Sequence, residues 1–324
     1  MKEIPWMPMT PQIRAALCCP RCNHPLSDEG DTLRCLQSDC GLVFPVVADI
    51  PILLNEDNSL FSIKDYLHSD AIAERTPRKQ NGLVDWLPGI SLNLTSNQNY
   101  QKFAQVLLEK TSHPIVLVIG GRITGQGMGK LDAYPDLEIV SSDIVFGPRT
   151  QIIFDGHNIP FHDGFYDGII AQAVLEHVLD PQRCVAEIHR VLKQGGLVYA
   201  ETPFMQQVHE GRYDFTRFTH LGHRRLFRWF EEIASGPAGG PGMALAWSWR
   251  YFLLSFARKP VWRQILGGLA RITAFFWKYF DPLIASRAGG MDAAAGYYFL
   301  GRKSETPLSD KTLLEQYRGA INTG

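Results

Sequence analysis

Five of the chain's six cysteines fall between Cys18 and Cys40. Cys19-x-x-Cys22 and Cys35-x4-Cys40 form two pairs separated by twelve residues. Each pair closes a tight turn with both thiolates on one side, and two such turns supply four soft ligands for a tetrahedral zinc ion. Gly41, directly after the second pair, suits a turn that needs a positive φ. Cys18 is left over, because the two-residue spacing selects Cys19. No apolar signal core follows the lysine of MKEIPWMPMT, so export is not expected, and clustered cysteines then point to metal rather than disulfides. Four thiolates leave no open coordination position, so the expected role of Zn2+ is structural.

A second group of reactive side chains lies in Thr202–His220, where His209, Glu210, Asp214 and Arg217 stand among Tyr213, Phe215 and Phe218. Imidazole is the side chain best suited to move a proton near neutral pH, so His209 is the candidate base. Asp214 and Arg217 are candidate substrate contacts, the alternative being that they tie the loop down by hydrogen bonds. Further upstream, Gly120–Lys130 is rich in glycine and follows the apolar run 114–119. A glycine loop between a strand and a helix lets backbone approach a ligand closely. It lacks the Gly-Lys-Ser/Thr of a phosphate loop and departs from G-x-G-x-x-G. Asp143 ends the next apolar run, where it is placed to accept both ribose hydroxyls of a nucleoside. Asp155 ends the run after that and could accept from an adenine amino group.

These residues need a frame that brings strand ends together. Gly168–Ala171 and Leu197–Ala200 are short apolar runs, and between them Cys184, Val185, Ile188, Val191 and Leu192 recur at helical spacing. Asp180 is placed to cap that helix with Pro181 at its first position, and Gly195-Gly196 to close it. Strand, helix, glycine turn, strand is the unit of a parallel α/β sheet, whose ligands sit at the carboxyl ends of the strands. Tyr100, Phe103, Val106 and Leu107 form a further helical stripe ahead of the first strand. A formal net charge of −1 gives no global pull towards nucleic acid, and no apolar run has membrane-spanning length.

Two resemblances follow from these motifs. The cysteine pairs, together with Phe44, Pro45, Ile50, Pro51, Leu53 and Leu54, resemble the small zinc-ribbon activator subunits of tRNA, rRNA and protein methyltransferases. Ala48-Asp49 stands where Asp-Gly is usual in that pattern. The second resemblance is carried by Asp155, Pro160, Phe161, Asp163, Tyr166 and Asp167, then Leu175-Glu176-His177 and Asp180-Pro181, then Glu187-Ile188, Arg190-Val191-Leu192 and Gly195-Gly196. Together they resemble the type-11 group of class I S-adenosylmethionine-dependent methyltransferases. This implies an α/β, Rossmann-like, seven-stranded sheet whose final antiparallel strand is Gly296–Gly301. It implies that Gly120 and Gly121 approach the methionine end of S-adenosyl-L-methionine. It also implies that Asp143 holds the ribose, that Asp155 and Gly156 reach adenine, and that Gln172 lies beside the transferable methyl. Two departures stand out: Val118 where the family carries an acid, and Arg122 within the glycine spacing.

The expected organisation is a zinc ribbon over 1–57, a linker with a short helix (60–74) over 58–97, and a methyltransferase domain over 98–304 with a helical insertion at 243–287. A tail spans 305–324. Between 245 and 285, six Lys/Arg oppose one acid, and Trp262, Ile265, Leu266, Leu269, Ile272, Phe276 and Tyr279 form an apolar stripe. That stripe is read either as a lid over the acceptor pocket, which is favoured, or as a peripheral contact with the inner face of the membrane. No Asp/Asn-Pro-Pro-Tyr follows the fourth strand, and Cys184 lies on a helix face. Amino-group and cysteine-adduct chemistry are therefore disfavoured. The expectation is a cytoplasmic enzyme methylating a small or lipid-linked acceptor at oxygen. RNA methylation and a non-catalytic scaffold are the alternatives.

Overall fold

The computed structural model describes residues 8–67 and 86–320. Its backbone is one continuous mixed sheet in the order β1-β2-β3-β4-β7-β6-β5-β8-β9-β11-β10. The strands are β1 (Leu26–Asp28), β2 (Thr32–Cys35), β3 (Val43–Val47), β4 (Ile50–Leu53), β5 (Ile115–Ile119), β6 (Glu138–Asp143), β7 (Ile152–Phe154), β8 (Tyr166–Gln172), β9 (Leu192–Pro203), β10 (Phe230–Gly239) and β11 (Gly296–Lys303). β7, β6, β5, β8 and β9 run parallel, while β11 lies antiparallel to both β9 and β10. These seven strands are the expected sheet. All five residues of β5 are buried, as befits a parallel strand covered on both faces.

An eighth strand joins this sheet from the ribbon. β4 pairs in parallel with β7 through Ile52 opposite Ile153 and Leu53 opposite Phe154. The ribbon is held a second time by the backbone N–H of Cys18, which donates to Pro160 O at 2.9 Å. Ile13, Leu17, Phe44 and Leu53 consequently share one core with Ile152, Phe154 and Phe161. The β3–β4 turn is made by Ala48 at φ 49° and Asp49 at φ 64°, with Val47 paired to Ile50. A two-residue hairpin with both φ positive is best filled by Asn-Gly, and alanine in that region costs about 1 kcal/mol.

Local differences from expectation have simple causes. The helix Pro181–Val191 is capped as expected, Asp180 accepting from Arg183 N at 3.0 Å. It ends at Val191, and β9 begins at Leu192. Gly195-Gly196 does not close the helix; with Gly195 at φ 70°, residues 193–196 loop out between the pairs Tyr166–Leu192 and Gly168–Leu197. After the glycine loop comes a 3-10 run, Met128–Ala133, rather than an α-helix. Within the expected linker, the described part of the 60–74 helix is a single 3-10 turn, Ile63–Tyr66, and residues 68–74 lie outside the described residues. Tyr66 is buried and its hydroxyl donates to Ile144 O at 2.6 Å, so this stretch is packed on the sheet.

The insertion between β10 and β11 folds as helices Pro241–Leu254 and Pro260–Ala274, followed by short turns to Asp292. Its anchor is Asp281, fully buried, which accepts from Gly242 N at 2.6 Å and Met243 N at 2.9 Å. The carboxylate thereby satisfies free N–H groups at a helix N-terminus. A side chain on Gly242 would strike Trp277 O, so the close approach needs glycine there. The second helix buries its small residues, Gly268, Ala270 and Ala274. Trp262, Ile265, Leu269, Ile272, Phe276 and Tyr279 are 43–60% exposed. The stripe that a lid would turn towards the pocket faces solvent, and the small-residue face is the one turned inward. Among the described residues, no helix is long and apolar enough to cross a membrane.

Two predictions follow from this packing. Replacing Ala48-Asp49 with Asn-Gly should raise stability by about 1–2 kcal/mol in denaturant titration, and an unchanged midpoint would refute the strain. His223 is buried, and burial, followed by the positive charges of His220 and Arg224, lowers its imidazole to about 3. The unfolded imidazole titrates near about 6.5. Below that pH the unfolded state takes up the proton first, so stability falls from about pH 6.5 down towards 3. His223→Phe should flatten that decline in melting temperature, and an equal slope would clear His223 of the effect.

Candidate functional site

The carboxyl ends of β5 to β9 surround a cavity of about 690 Å³, a size that suits a small-molecule ligand. Gly120, Asp143, Asp155, Gly156, Gln172 and His209 all line it. Gly121 does not; its N–H donates to Ser142 O at 2.7 Å, stitching β5 to β6 beneath the loop. Gly120 takes φ 73°, and a side chain there would meet Val174 at 2.6 Å. The turn therefore requires glycine and keeps that wall bare.

The floor is a polar knot. Glu201, at the end of β9, is nearly buried and accepts from Asn93 Nδ2 at 2.8 Å, Gln172 Nε2 at 2.9 Å and the Tyr199 hydroxyl. Burial pushes its carboxyl upward. Gln172 also donates to Gln126 O at 3.0 Å and accepts from the Tyr100 hydroxyl at 3.0 Å. Gln172 lines the cavity while its polar atoms hold the glycine loop to β8 and β9. Glu201 is marked in the sequence only by its place near a strand end, and Asn93 only by a glycosylation-type Asn-Leu-Thr match unrelated to this contact.

Along one wall, Asp143 Oδ2 accepts from Arg122 N at 3.1 Å, and Oδ1 from Ile144 N and Val145 N at 2.8 and 3.2 Å. Burial raises its carboxyl, with those backbone donors opposing. Asp155 accepts from Ser59 Oγ at 2.6 Å and from His157 Nδ1 at 2.5 Å. His157 Nε2 accepts from Asp180 N at 3.0 Å, so the proton resides on Nδ1. Burial works to raise the Asp155 carboxyl, but the His157 and Ser59 bonds outweigh it and hold it below the usual carboxylate value. Ser59 and His157 thus orient Asp155, contacts that no short motif reveals.

The lining also includes Glu176, His177 and His209. Asp214 and Arg217, expected to touch the substrate, do not line the cavity. They pair with each other, Arg217 donating also to Gln206 O at 2.9 Å and Asp214 accepting from His209 N at 2.9 Å. The loop-tying alternative describes their contacts, because an ion pair with its oxygens already filled has little left for a ligand.

The four cysteines converge as their spacing required. Cys19 and Cys40 sulfurs are 3.8 Å apart, those of Cys22 and Cys35 are 3.4 Å apart, and all four lie within 4.8 Å. Zn–S bonds of about 2.3 Å place tetrahedral thiolates about 3.8 Å apart, so the donor set fits zinc. Cys18 stays outside the cluster, its Sγ directed to Ala16 O at 3.7 Å.

With fold and cleft described, comparison with known proteins adds a class. Residues 137–200 match the family model described as a methyltransferase domain, of the type-11 group. The chain carries an S-adenosylmethionine-dependent methyltransferase domain, joined to a ribbon whose four-cysteine cluster fits a metal ion. No curated protein matches the chain in sequence. Similar solved structures include a Haloferax volcanii methyltransferase activator in complex with a methyltransferase, at 15% identity and TM-score 0.36, covering 65% of this chain and 92% of that one. Another is a Haemonchus contortus phosphoethanolamine N-methyltransferase with S-adenosylhomocysteine, at 16% identity and TM-score 0.39, covering 64% and 53%. A [4+2]-cyclase is similar at 15% identity and TM-score 0.35, covering 63% and 80%. Likeness this slight carries no reading of the reaction.

Cys35→Ser should weaken and shift the thiolate charge-transfer absorption of cobalt-substituted protein and lower the melting temperature, since β4 leaves the ribbon for the sheet edge. A variant with an unaltered spectrum would refute the four-thiolate site.

Proposed function

We propose that the protein transfers a methyl group from S-adenosylmethionine to an oxygen of a small or lipid-linked apolar acceptor, which it meets at a membrane surface. Gly120 frames the methionine end of the cofactor, Asp143 takes the ribose hydroxyls, and Asp155 with Gly156 faces the adenine. The bare glycine turn and the oriented carboxylates support this assignment. Methyl transfer is an in-line displacement, so the chief contribution of the chain is to hold acceptor and sulfonium in line. The ribbon's zinc is structural.

The observation that carries the acceptor reading is the insertion. Met243, at the start of its first helix, lines the cavity, while Phe252, Phe256, Trp262, Ile265 and Leu269 of the same insertion are exposed. Arg258, Lys259 and Arg263 lie beside them in the chain. Exposed aromatics interleaved with basic residues suit an anionic bilayer surface. The cleft and that surface are thus parts of one element, which would place the acceptor's entry near lipid.

One experiment joins both halves of the reading. Calorimetry should show S-adenosylmethionine binding that Asp143→Ala weakens by at least about tenfold, in keeping with loss of a charge-assisted hydrogen bond. Co-sedimentation with anionic vesicles should be strong for the natural chain and lost in Ile265→Glu/Leu269→Glu, with cofactor binding intact. Absence of cofactor heat would overturn the methyl-transfer reading. Vesicle binding equal in both proteins, or absent from both, would overturn the membrane reading.

A further inference from the structure

Among the described residues, two groups of ligand-type side chains are close enough to share an ion. One is the cysteine cluster, and the other is Glu176, His177 and His209. We propose that this second group binds a divalent transition ion, with zinc(II) as the expected occupant, at the lining of the cavity.

Glu176 is the first argument. Its side chain is wholly buried, and neither carboxyl oxygen has a hydrogen-bond partner. An unpartnered buried carboxyl is costly, and such groups in native proteins normally meet a partner or an ion. The nearest polar atoms are two imidazole nitrogens, His177 Nε2 at 3.7 Å and His209 Nε2 at 3.8 Å from Oε1. All three ligand atoms lie within 4.8 Å of one another. Atoms bound to one ion at about 2.1 Å sit about 3.4 Å apart in a tetrahedron, so loading would draw the three in by roughly 0.3–1.4 Å.

The surroundings of the two histidines are the second argument. His177 Nδ1 donates to Tyr213 O at 2.8 Å, which fixes its proton there and leaves the Nε2 lone pair towards Glu176. His209 Nδ1 lies 3.4 Å from Asp214 Oδ2, and Asp214 is itself held by Arg217. His177 thus has the carbonyl partner that orients a metal-binding histidine, while the carboxylate near His209 Nδ1 is within reach but not hydrogen-bonded to it. The two loops are fastened together by Phe215 N and Thr216 N, which donate to Glu176 O at 2.8 and 3.2 Å. The ion pair of Asp214 and Arg217 thereby gains a purpose, as support for a ligand.

Two imidazoles and one carboxylate form a donor set suited to zinc and iron(II), with positions left open. All three residues line the cavity, so an ion held by them would sit at its edge. In this assignment His209 holds an ion rather than acting as a free base. The site does not depend on methyl transfer, since it rests only on these side chains.

The test uses the full chain with its cysteine site filled with zinc. Calorimetric titration with Co2+, followed in parallel by visible absorption, should show one added ion per chain without a thiolate charge-transfer band. Glu176→Gln keeps the shape of the side chain, and with His209→Gln it should weaken the added ion by at least about tenfold; Asp214→Asn should weaken it by about 10–100-fold. Circular dichroism would confirm that the variants are folded. A natural chain that takes up no added ion, or Glu176→Gln and His209→Gln variants that bind Co2+ as tightly as it does, would overturn the proposal.

Discussion

The cleft depends on one buried carboxylate. Glu201 lies near the end of β9 with three donors around it, Tyr199 from the same strand and Asn93 and Gln172 from other parts of the wall. Asn93 brings in the start of the helix Ser96–Leu108, to which it is also bonded by accepting from Ser96 N at 2.8 Å. Gln172 brings in β8 and, through Gln126, the glycine loop. A buried charge or carboxyl holds its place only when its oxygens are fully used, and here using them ties three elements to one point. The family's acid before the first glycine is replaced by Val118, which is buried in β5. Gln172 and Glu201 stand one and two strands away at the same end of the sheet, so polar groups remain at the strand ends though not in the usual position.

The ribbon is the second fixed point. Its four thiols gather at the far end of the sheet, and the hairpin that leaves them becomes β4. Any ion that orders the cysteines therefore also orders the edge beside β7, and Asp155 directly follows β7. Ser59, a few residues beyond β4, donates to that same Asp155. This gives a mechanical reason for carrying the ribbon in the same chain. Its tail presents a hydroxyl that, with His157, orients a carboxylate of the cleft.

The sheet was legible because its strands are apolar runs between glycine, proline and aspartate, and because both faces are covered. The cysteine cluster was legible because thiolate pairs at that spacing have few other uses. What stayed hidden depends on distant partners. Asp214 and Arg217 have the look of substrate contacts, yet they meet each other, because three-residue spacing in a tight loop lets a guanidinium reach the carboxylate. Glu176 reads as part of a motif that positions a loop, and only its lack of any partner marks it out. Periodicity showed that the Trp262 stripe was apolar. It could not show which face of the helix the domain would use, since small residues opposite permit closer packing.

That choice of face bears on how an acceptor arrives. An amphipathic helix normally buries its large apolar residues, where each is worth about 1.5–3 kcal/mol. Here the helix Pro260–Ala274 buries Gly268, Ala270 and Ala274 and leaves Trp262, Ile265, Leu269 and Ile272 outside. The chain thus forgoes several such contributions, while Asp281 and Lys278 help to secure the insertion by other means. Lys278 donates to Gly89 O at 2.6 Å and Asp281 accepts at the first helix's N-terminus. Polar anchors hold the element down while its apolar side stays available. A helix whose sole task was to cover the cleft would gain more by turning that side inward, so the outward stripe is better explained by a surface that the protein meets than by the cavity it encloses.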